Sequence, residues 1–369
     1  MKSRLPRVRS TALVLFAVFL LFLLLANAEL AMDGVRQGLS LCTETLFPSL
    51  FPFLVFSELL VVTGAGESIG RLFSRPVGAL FGLSRSGSVA LLLGWLCGSP
   101  VGTATALSLW HRGEIEEREL TRLTLFANNP SSGFLISAVG EALFGNKGAG
   151  LALFLITTLS AALVGLFLRL CLGKADNAQS FPTPEREHHL SATDFTGSVK
   201  RGFATLLQVA AFVLFFSCIS KCLTPLLSSL SLPQPLSVLF CGLLEMTAGI
   251  SSAVTELSPA LAFRLTAFFA SFAGLSVCLQ IFSIAEEAPL ALLPYLAAHL
   301  SQGLIALGLA EGYLRLFQPD FITAESVDTI APLRSGSLSY TLILTLLLLL
   351  LLSVHLLIKK AVRPRATPQ

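Results

Sequence analysis

The sequence predicts an all-α polytopic membrane protein made of two inverted repeats, with re-entrant hairpins and broken helices. Three observations carry that expectation. Of the 369 residues, 54% are hydrophobic and only 13% charged, where a soluble domain has about 25% charged residues. Long uncharged runs stand at both ends of the chain. Between them a set of motifs occurs twice in the same order, separated by one long polar stretch.

The first run, "TALVLFAVFLLFLLLANAEL" (11–30), has the ~20 apolar residues that a bilayer crossing needs. Lys2, Arg4, Arg7 and Arg9 ahead of it resemble the basic start of a signal peptide. The apolar stretch is longer than a signal core, so an uncleaved anchor is expected. The last run, "SYTLILTLLLLLLLSVHLLI" (339–358), is followed by Lys359, Lys360, Arg363 and Arg365. Basic flanks stay cytoplasmic, which places both termini inside and makes the number of crossings even. Topology thus accounts for the basic clusters, and membrane lipid rather than nucleic acid is the expected surrounding. The seven cysteines form no C-x-x-C pair and read as packing residues. With His188 and His189 alone in a polar loop, neither a metal nor a cofactor is expected.

The duplication emerges from three pairings. "RQGLSLCTETLFPSLFPFLVFSELL" (36–60) resembles "KRGFATLLQVAAFVLFFSCISKCLT" (200–224). "GWLCGSPVG" (94–102) matches "GLLEMTAGI" (242–250), and "RLTLFANNPSSG" (122–133) matches "RLTAFFASFAG" (264–274). In the last register Asn129 falls opposite Ser271, and Arg122 opposite Arg264. The domains that follow are an anchor (1–30), a first repeat with its following helix (31–172) and a cytoplasmic polar linker (173–197). A second repeat with its helix (198–316) and a loop with a terminal helix (317–369) complete the chain.

Duplicated membrane proteins often carry the second copy inverted, with substrate held between the copies. The expected topology makes 34–63 and 198–230 re-entrant hairpins, the first with Pro48 and Pro52 at its tip; full crossings there are the alternative, which keeps the termini inside but moves the linker outside. It makes 86–110, 115–143, 236–256 and 259–283 broken crossings, and 11–30, 149–172, 288–316 and 338–358 intact spans. Starting inside, this puts the linker and the loop holding Arg112, Arg118 and Arg122 inside. The acidic loop 317–336 falls outside.

Broken helices identify the candidate site. Hydrocarbon tolerates irregular backbone only beside protein or a polar cavity, and "GSPVG" (98–102) interrupts a helix with two glycines and a proline. Such a break frees backbone amides that suit anions and carbonyls that suit cations. The candidate substrate-binding residues are Gly98, Ser99 and Pro100 at this break, and Asn128 and Asn129 at the next. The second copy adds Glu245, Thr247, Ser271 and Gln280. Small polar residues are also common helix–helix glue. A carboxylate in an apolar segment is costlier and usually functional, which singles out Glu245.

The succession "LFPSLFPFLVFSELL", "GSPVG", "RLTLFANNPSSGF", "GLLEMTAGI", "SFAGLSVCLQ" resembles the YlbJ-type sporulation integral membrane proteins, of the nucleoside-recognition (Gate) domain group. The resemblance covers nearly all of residues 30–316. It implies an architecture similar to concentrative nucleoside transporters. It also implies a role in moving dipicolinic acid across the outer forespore membrane. This chain differs from the pattern at Ser99, Ala248 and Cys278, where the family tends to have an aromatic, a polar residue and a histidine. The partner implied is a small anionic molecule; a homo-oligomer or a sporulation partner stays open. A two-fold-symmetric diacid would meet one broken-helix N-terminus from each copy, with Asn128, Asn129, Ser271 and Gln280 as further donors.

No enzyme is expected. The apolar segments hold no H-E-x-x-H and no pair of aspartates. Ser99 and His111 stand twelve helical positions apart, too far for direct contact at about 1.5 Å per residue. No phosphate-binding loop is present. A nucleoside transporter and a non-transporting spore-envelope protein are the alternatives.

Overall fold

The computed structural model describes residues 5–63, 76–173, 191–230 and 232–319. The terminal run 338–358 and most of the polar linker lie outside the described residues. The protein is an integral membrane protein: four helices are long and apolar enough to cross a bilayer, and no strand occurs among the described residues.

α1 (Leu5–Ala26) does not continue to Leu30 as one straight span. Asn27 ends it by turning its side-chain amide onto the Leu23 carbonyl at 3.0 Å, a local bond that competes with helix propagation. The chain then bends by 98° into α2 (Ala28–Leu41). A π-helical turn, Cys42–Leu46, joins α2 directly to α3 (Phe47–Val62).

Helical backbone therefore runs through 34–63, where a hairpin was expected. Pro48 and Pro52 make no tip. The wide π turn comes just before Pro48, and a change of helical register is one way to absorb a missing donor. The second expected hairpin, 198–230, is likewise one unbroken helix. It is α9 in chain order (Ala192–Ser229) and opens on a Ser191/Asp194 capping box. Its 38 residues span about 57 Å, well beyond a ~30 Å hydrocarbon core. The two rods run antiparallel. A Cβ on Gly34 would stand 2.7 Å from the Cys218 Cα, one on Gly38 3.2 Å from the Leu214 Cα, and one on Gly202 3.1 Å from the Val55 nitrogen. Such small residues let membrane helices approach closely.

The hairpins lie instead where single broken crossings were expected. α4 (Arg85–Cys97) and α5 (Val101–His111) fold back on each other at Gly98-Ser99-Pro100, with Gly98 at φ 94°. A Cβ on Gly94 would stand 2.8 Å from the Gly102 Cα, whereas a continuous helix would hold those residues about 12 Å apart. In the second copy α10 (Gln234–Leu244) and α11 (Met246–Glu256) reverse at Glu245. There Gly249 meets Gly242, its Cβ position 2.7 Å from the Gly242 nitrogen. Each arm is about 16–20 Å long, too short to cross. Prolines suggested the wrong tip, for the helical run absorbs Pro48 just after the π turn and Pro52 within α3. Glycines on facing arms mark the true hairpins, because only they let the arms touch.

The other two breaks fall where expected. α6 (Glu117–Thr124) is followed by non-helical residues and then by α7 (Phe134–Leu143), a π-helix. α12 (Pro259–Phe272) and α13 (Gly274–Ile284) part at Ala273, whose φ is 70°. α8 (Lys147–Leu172) and α14 (Leu292–Phe317) are intact spans.

Two of the apolar cores are reciprocal in composition. One packs the first hairpin (Leu91, Ala106) and α6 with α13 (Cys278, Ile281), the end of α8 (Val164, Leu168) and the start of α14 (Tyr295, Ala298). The other packs the second hairpin (Val238, Ile250) and α12 with α7 (Leu135, Val139). It takes the start of α8 (Leu153) and the end of α14 (Ala310). The start of each span thus meets the end of the other, so α8 and α14 are antiparallel. Each core borrows the second half of the other copy's broken helix.

Candidate functional site

The tip of the first hairpin lies on the break between α6 and α7. The Ser99 amide donates to the Asn129 carbonyl at 2.6 Å, and the Trp95 indole donates to the Phe126 carbonyl at 2.8 Å. Gly98 leaves no room for a side chain, since its Cβ position is 2.5 Å from the Ser131 nitrogen. Pro100 is buried and precedes α5, whose N-terminus has no side-chain cap. Asn128 is satisfied within the protein: it accepts from Thr103 Oγ1 at 2.9 Å and donates to the Thr124 carbonyl at 3.0 Å.

Asn129 is different. It is fully buried, and its Oδ1 accepts from Gln302 Nε2 of α14 at 2.7 Å. Its own Nδ2 has no partner, and neither has the Oε1 of Gln302 or the Ser99 hydroxyl. Across the pseudo-repeat, Ser271 on α12 faces Ser160 of α8, Oγ to Oγ, at 3.4 Å. The Ser271 carbonyl stands 3.4 Å from His299 Nδ1 of α14. In the register that pairs Asn129 with Ser271, Ser160 falls opposite Gln302. Each break residue therefore reaches the intact span of the other copy, and the two contacts are counterparts.

Ser99, Asn129 and Ser271 are thus joined into one cluster through Ser160, His299 and Gln302. The last three were not anticipated, although the sequence carries a signal for two of them. His299 and Gln302 sit three apart in the apolar run "LLPYLAAHLSQGLIALGL" (292–309), hence on one helix face, where polar side chains inside a bilayer mark function. Ser160 has no such signal, because one serine in a membrane helix is commonplace.

Glu245 and Thr247 belong to the tip of the second hairpin. Both Glu245 oxygens accept backbone amides at the start of α11, from Thr247 at 3.0 Å and Ala248 at 2.6 Å. The carboxylate is buried and caps its own helix. That tip rests on the other break, for a Cβ on Gly274 would stand 3.1 Å from the Met246 nitrogen. Gln280, buried on α13, has an Nε2 with no partner and makes no hydrogen bond to the cluster. α13, like α5, has no side-chain cap at its N-terminus. The starts of α6, α10, α12 and α14 likewise have no side-chain cap; α5 and α13 are the two that follow directly on the Gly98–Pro100 and Ala273 breaks.

The two equivalent arginines are not simple interfacial cations. Arg122 is buried and donates through Nη1 to the Gly173 carbonyl at 3.0 Å and through Nη2 to the Phe81 carbonyl. Arg264 pairs with Glu311 at 2.6 Å. Each ties the first half of a broken helix to the far end of the following span. Among the described residues no three His, Cys, Asp or Glu side chains are grouped as metal ligands.

The chain is similar over most of its length to the sporulation integral membrane protein YlbJ of Bacillus subtilis (strain 168), with 26% identity over 335 residues, covering 82% of each chain. It is also similar to the inner membrane protein YjiG of Escherichia coli (strain K12), with 31% identity over 81 residues, 22% of this chain and 52% of that one. No family model matches the chain, and no solved structure matches it. This is a membrane protein whose similarities lie with a sporulation protein and an inner membrane protein.

Proposed function

We propose that the protein is a transporter of a small organic anion, dipicolinic acid, acting across the outer forespore membrane during sporulation without covalent chemistry. Both termini are cytoplasmic in this reading, and the two copies are inverted repeats of a Gate-type domain. Support for the inversion comes from the reciprocal cores and from the counterpart contacts Asn129–Gln302 and Ser271–Ser160. Support for the sporulation role comes from the similarity to YlbJ. The diacid follows from the motif resemblance described above.

One observation carries the reading: the buried Ser99 Oγ, Asn129 Nδ2 and Gln302 Oε1, none of which has a protein partner. Leaving a buried polar group unpaired costs about 1–3 kcal/mol. A polar ligand that pairs these groups recovers that free energy. Uncapped amides of α5 and α13 add positive ends for two carboxylates. A protein that only scaffolds the spore envelope has no need of such a centre.

Uptake of labelled dipicolinate by vesicles holding the purified protein tests the proposal, with uridine as the comparison substrate. The expected result is saturable dipicolinate uptake, with apparent affinity reduced about 10- to 100-fold in Asn129→Ala, the loss of one hydrogen bond to a charged ligand. Uptake of uridine alone would move the protein to the nucleoside class.

A further inference from the structure

At His299 both broken helices offer a backbone carbonyl to the same side chain. Its Nδ1 lies 3.4 Å from the Ser271 carbonyl, in α12 just before the break at Ala273. The carbonyl of Thr124, the last residue of α6, also faces the imidazole. The second carbonyl is exposed by the chain's departure from the helix: in place of a backbone amide one turn on, it receives the side chain of Asn128. Carbonyls only accept hydrogen bonds, and a neutral imidazole has a single N–H to give. With its one proton, the ring satisfies one carbonyl and turns a lone pair elsewhere; with two, it donates from both nitrogens.

The surroundings sharpen this. The ring is fully buried and its Nε2 lacks a partner of good geometry. Tyr295, one turn earlier on α14, lies tilted against it with centroids 4.3 Å apart, and Cys278 of α13 lies beside Tyr295. Those are the titratable neighbours. From α12 comes the Ser271 carbonyl and from α6 the Thr124 carbonyl. No carboxylate, lysine or arginine among the described residues forms a hydrogen bond or ion pair with His299. Arg122 and Arg264 are held elsewhere, and Glu245 is occupied by its own helix. A centre that takes an anion has no fixed cation beside it, only a histidine, whose imidazole can gain a charge when an anion arrives beside it.

We propose that His299 is the proton-binding residue of the site and that each anion crosses together with one proton held on its imidazole. The proposal rests on the transport reading above. The proton enters on the ring nitrogen left bare in the neutral form and bridges the broken helices of the two copies. It leaves with the ligand on the other side. Charge is then partly compensated at the centre without a permanent cation, which would hold the anion too tightly for release.

The test uses dipicolinate uptake into proteoliposomes with the membrane potential clamped to zero, an imposed pH difference, and a pH-sensitive dye in the lumen. With one proton per anion, a difference of one pH unit, acid outside, drives accumulation to about tenfold over the outside concentration. The lumen acidifies as dipicolinate enters. His299→Gln, which keeps an N–H for the Ser271 carbonyl and cannot cycle a proton, is expected to exchange dipicolinate across the membrane without pH-driven accumulation. Saturable uptake by the unaltered protein with no lumen acidification overturns the proposal while leaving the transport reading intact. So does coupling in His299→Gln equal to that of the unaltered protein. Absence of any saturable dipicolinate uptake overturns both. The unaltered protein's own proton movement decides the matter if the variant fails to fold.

Discussion

At the scale of single residues, Glu245 shows how a buried carboxylate can be fully used by its own backbone. Its two oxygens each take an amide at the start of α11, and the N-terminal end of a helix favours a negative charge there. Glu245→Gln leaves one oxygen for two amides. It is expected to lower stability by about 1–2 kcal/mol, read as an earlier thermal transition in detergent. Apparent affinity for ligand should change little in that variant. A large affinity loss at unchanged stability would give Glu245 a direct ligand role. The converse pattern is expected at the breaks. Asn129→Ala and Ser271→Ala should each weaken binding of a diacid more than of its monoacid analogue, because the two positions serve opposite ends of the ligand. Equal losses for both ligands in a competition assay would contradict that division.

At the scale of elements, the decisive contacts are made by hydrogen atoms standing where side chains would be. Gly249 touches Gly242 across the second hairpin, and Gly94 touches Gly102 across the first. Alanine at Gly249 forces a methyl group into the facing backbone, so the arms must part; overpacking of this kind typically costs about 1–3 kcal/mol. Gly133, at the start of α7, has nothing within 4 Å of its Cβ position and makes the control. Gly249→Ala should lower the melting temperature in detergent, and Gly133→Ala should leave it nearly unchanged. Similar shifts in both would mean that the hairpin arms are not pressed together. The long rods obey the same rule at Gly34, Gly38 and Gly202, where backbones rather than side chains set the spacing.

At the scale of the whole molecule, the rods and hairpins fix which loops share a side of the membrane. A hairpin returns its chain to the side from which it came, so Ser84 and Gly113 flank one side and Gln234 and Leu257 flank another. Between Gly113 and Gln234 the chain crosses through α6–α7, α8 and α9, an odd number of passes. Single cysteines at these four positions, in a background lacking the native ones, should therefore react with a membrane-impermeant reagent in two pairs from opposite faces. Labelling of Ser84 and Gly113 from different faces would restore the first hairpin to a full crossing. Reciprocal cores follow from the same arrangement: the first hairpin packs on α13 and the second on α7.

The sequence by itself determined the membrane class and the positions of four interruptions, at Gly98–Pro100, near Asn128–Asn129, at Glu245 and at Ala273, but not the bend at Asn27. Those are local properties: apolar runs, glycine and proline, and polar residues in apolar segments are legible along the chain. Direction after an interruption is not local. Whether α5 continues away from α4 or folds back against it depends on Gly94 meeting Gly102 across space. The same holds for the helical run through Pro48 and Pro52, which the packing of α2 and α3 against α9 supports. The candidate site divides in the same way. Asn129 and Ser271 were readable from the repeat register, but their partners Gln302, Ser160 and His299 come from spans that look intact. Only the antiparallel placement of α8 and α14 brings each beside the other copy's break. A hydrogen bond between residues 173 positions apart exists in the fold and not in the chain.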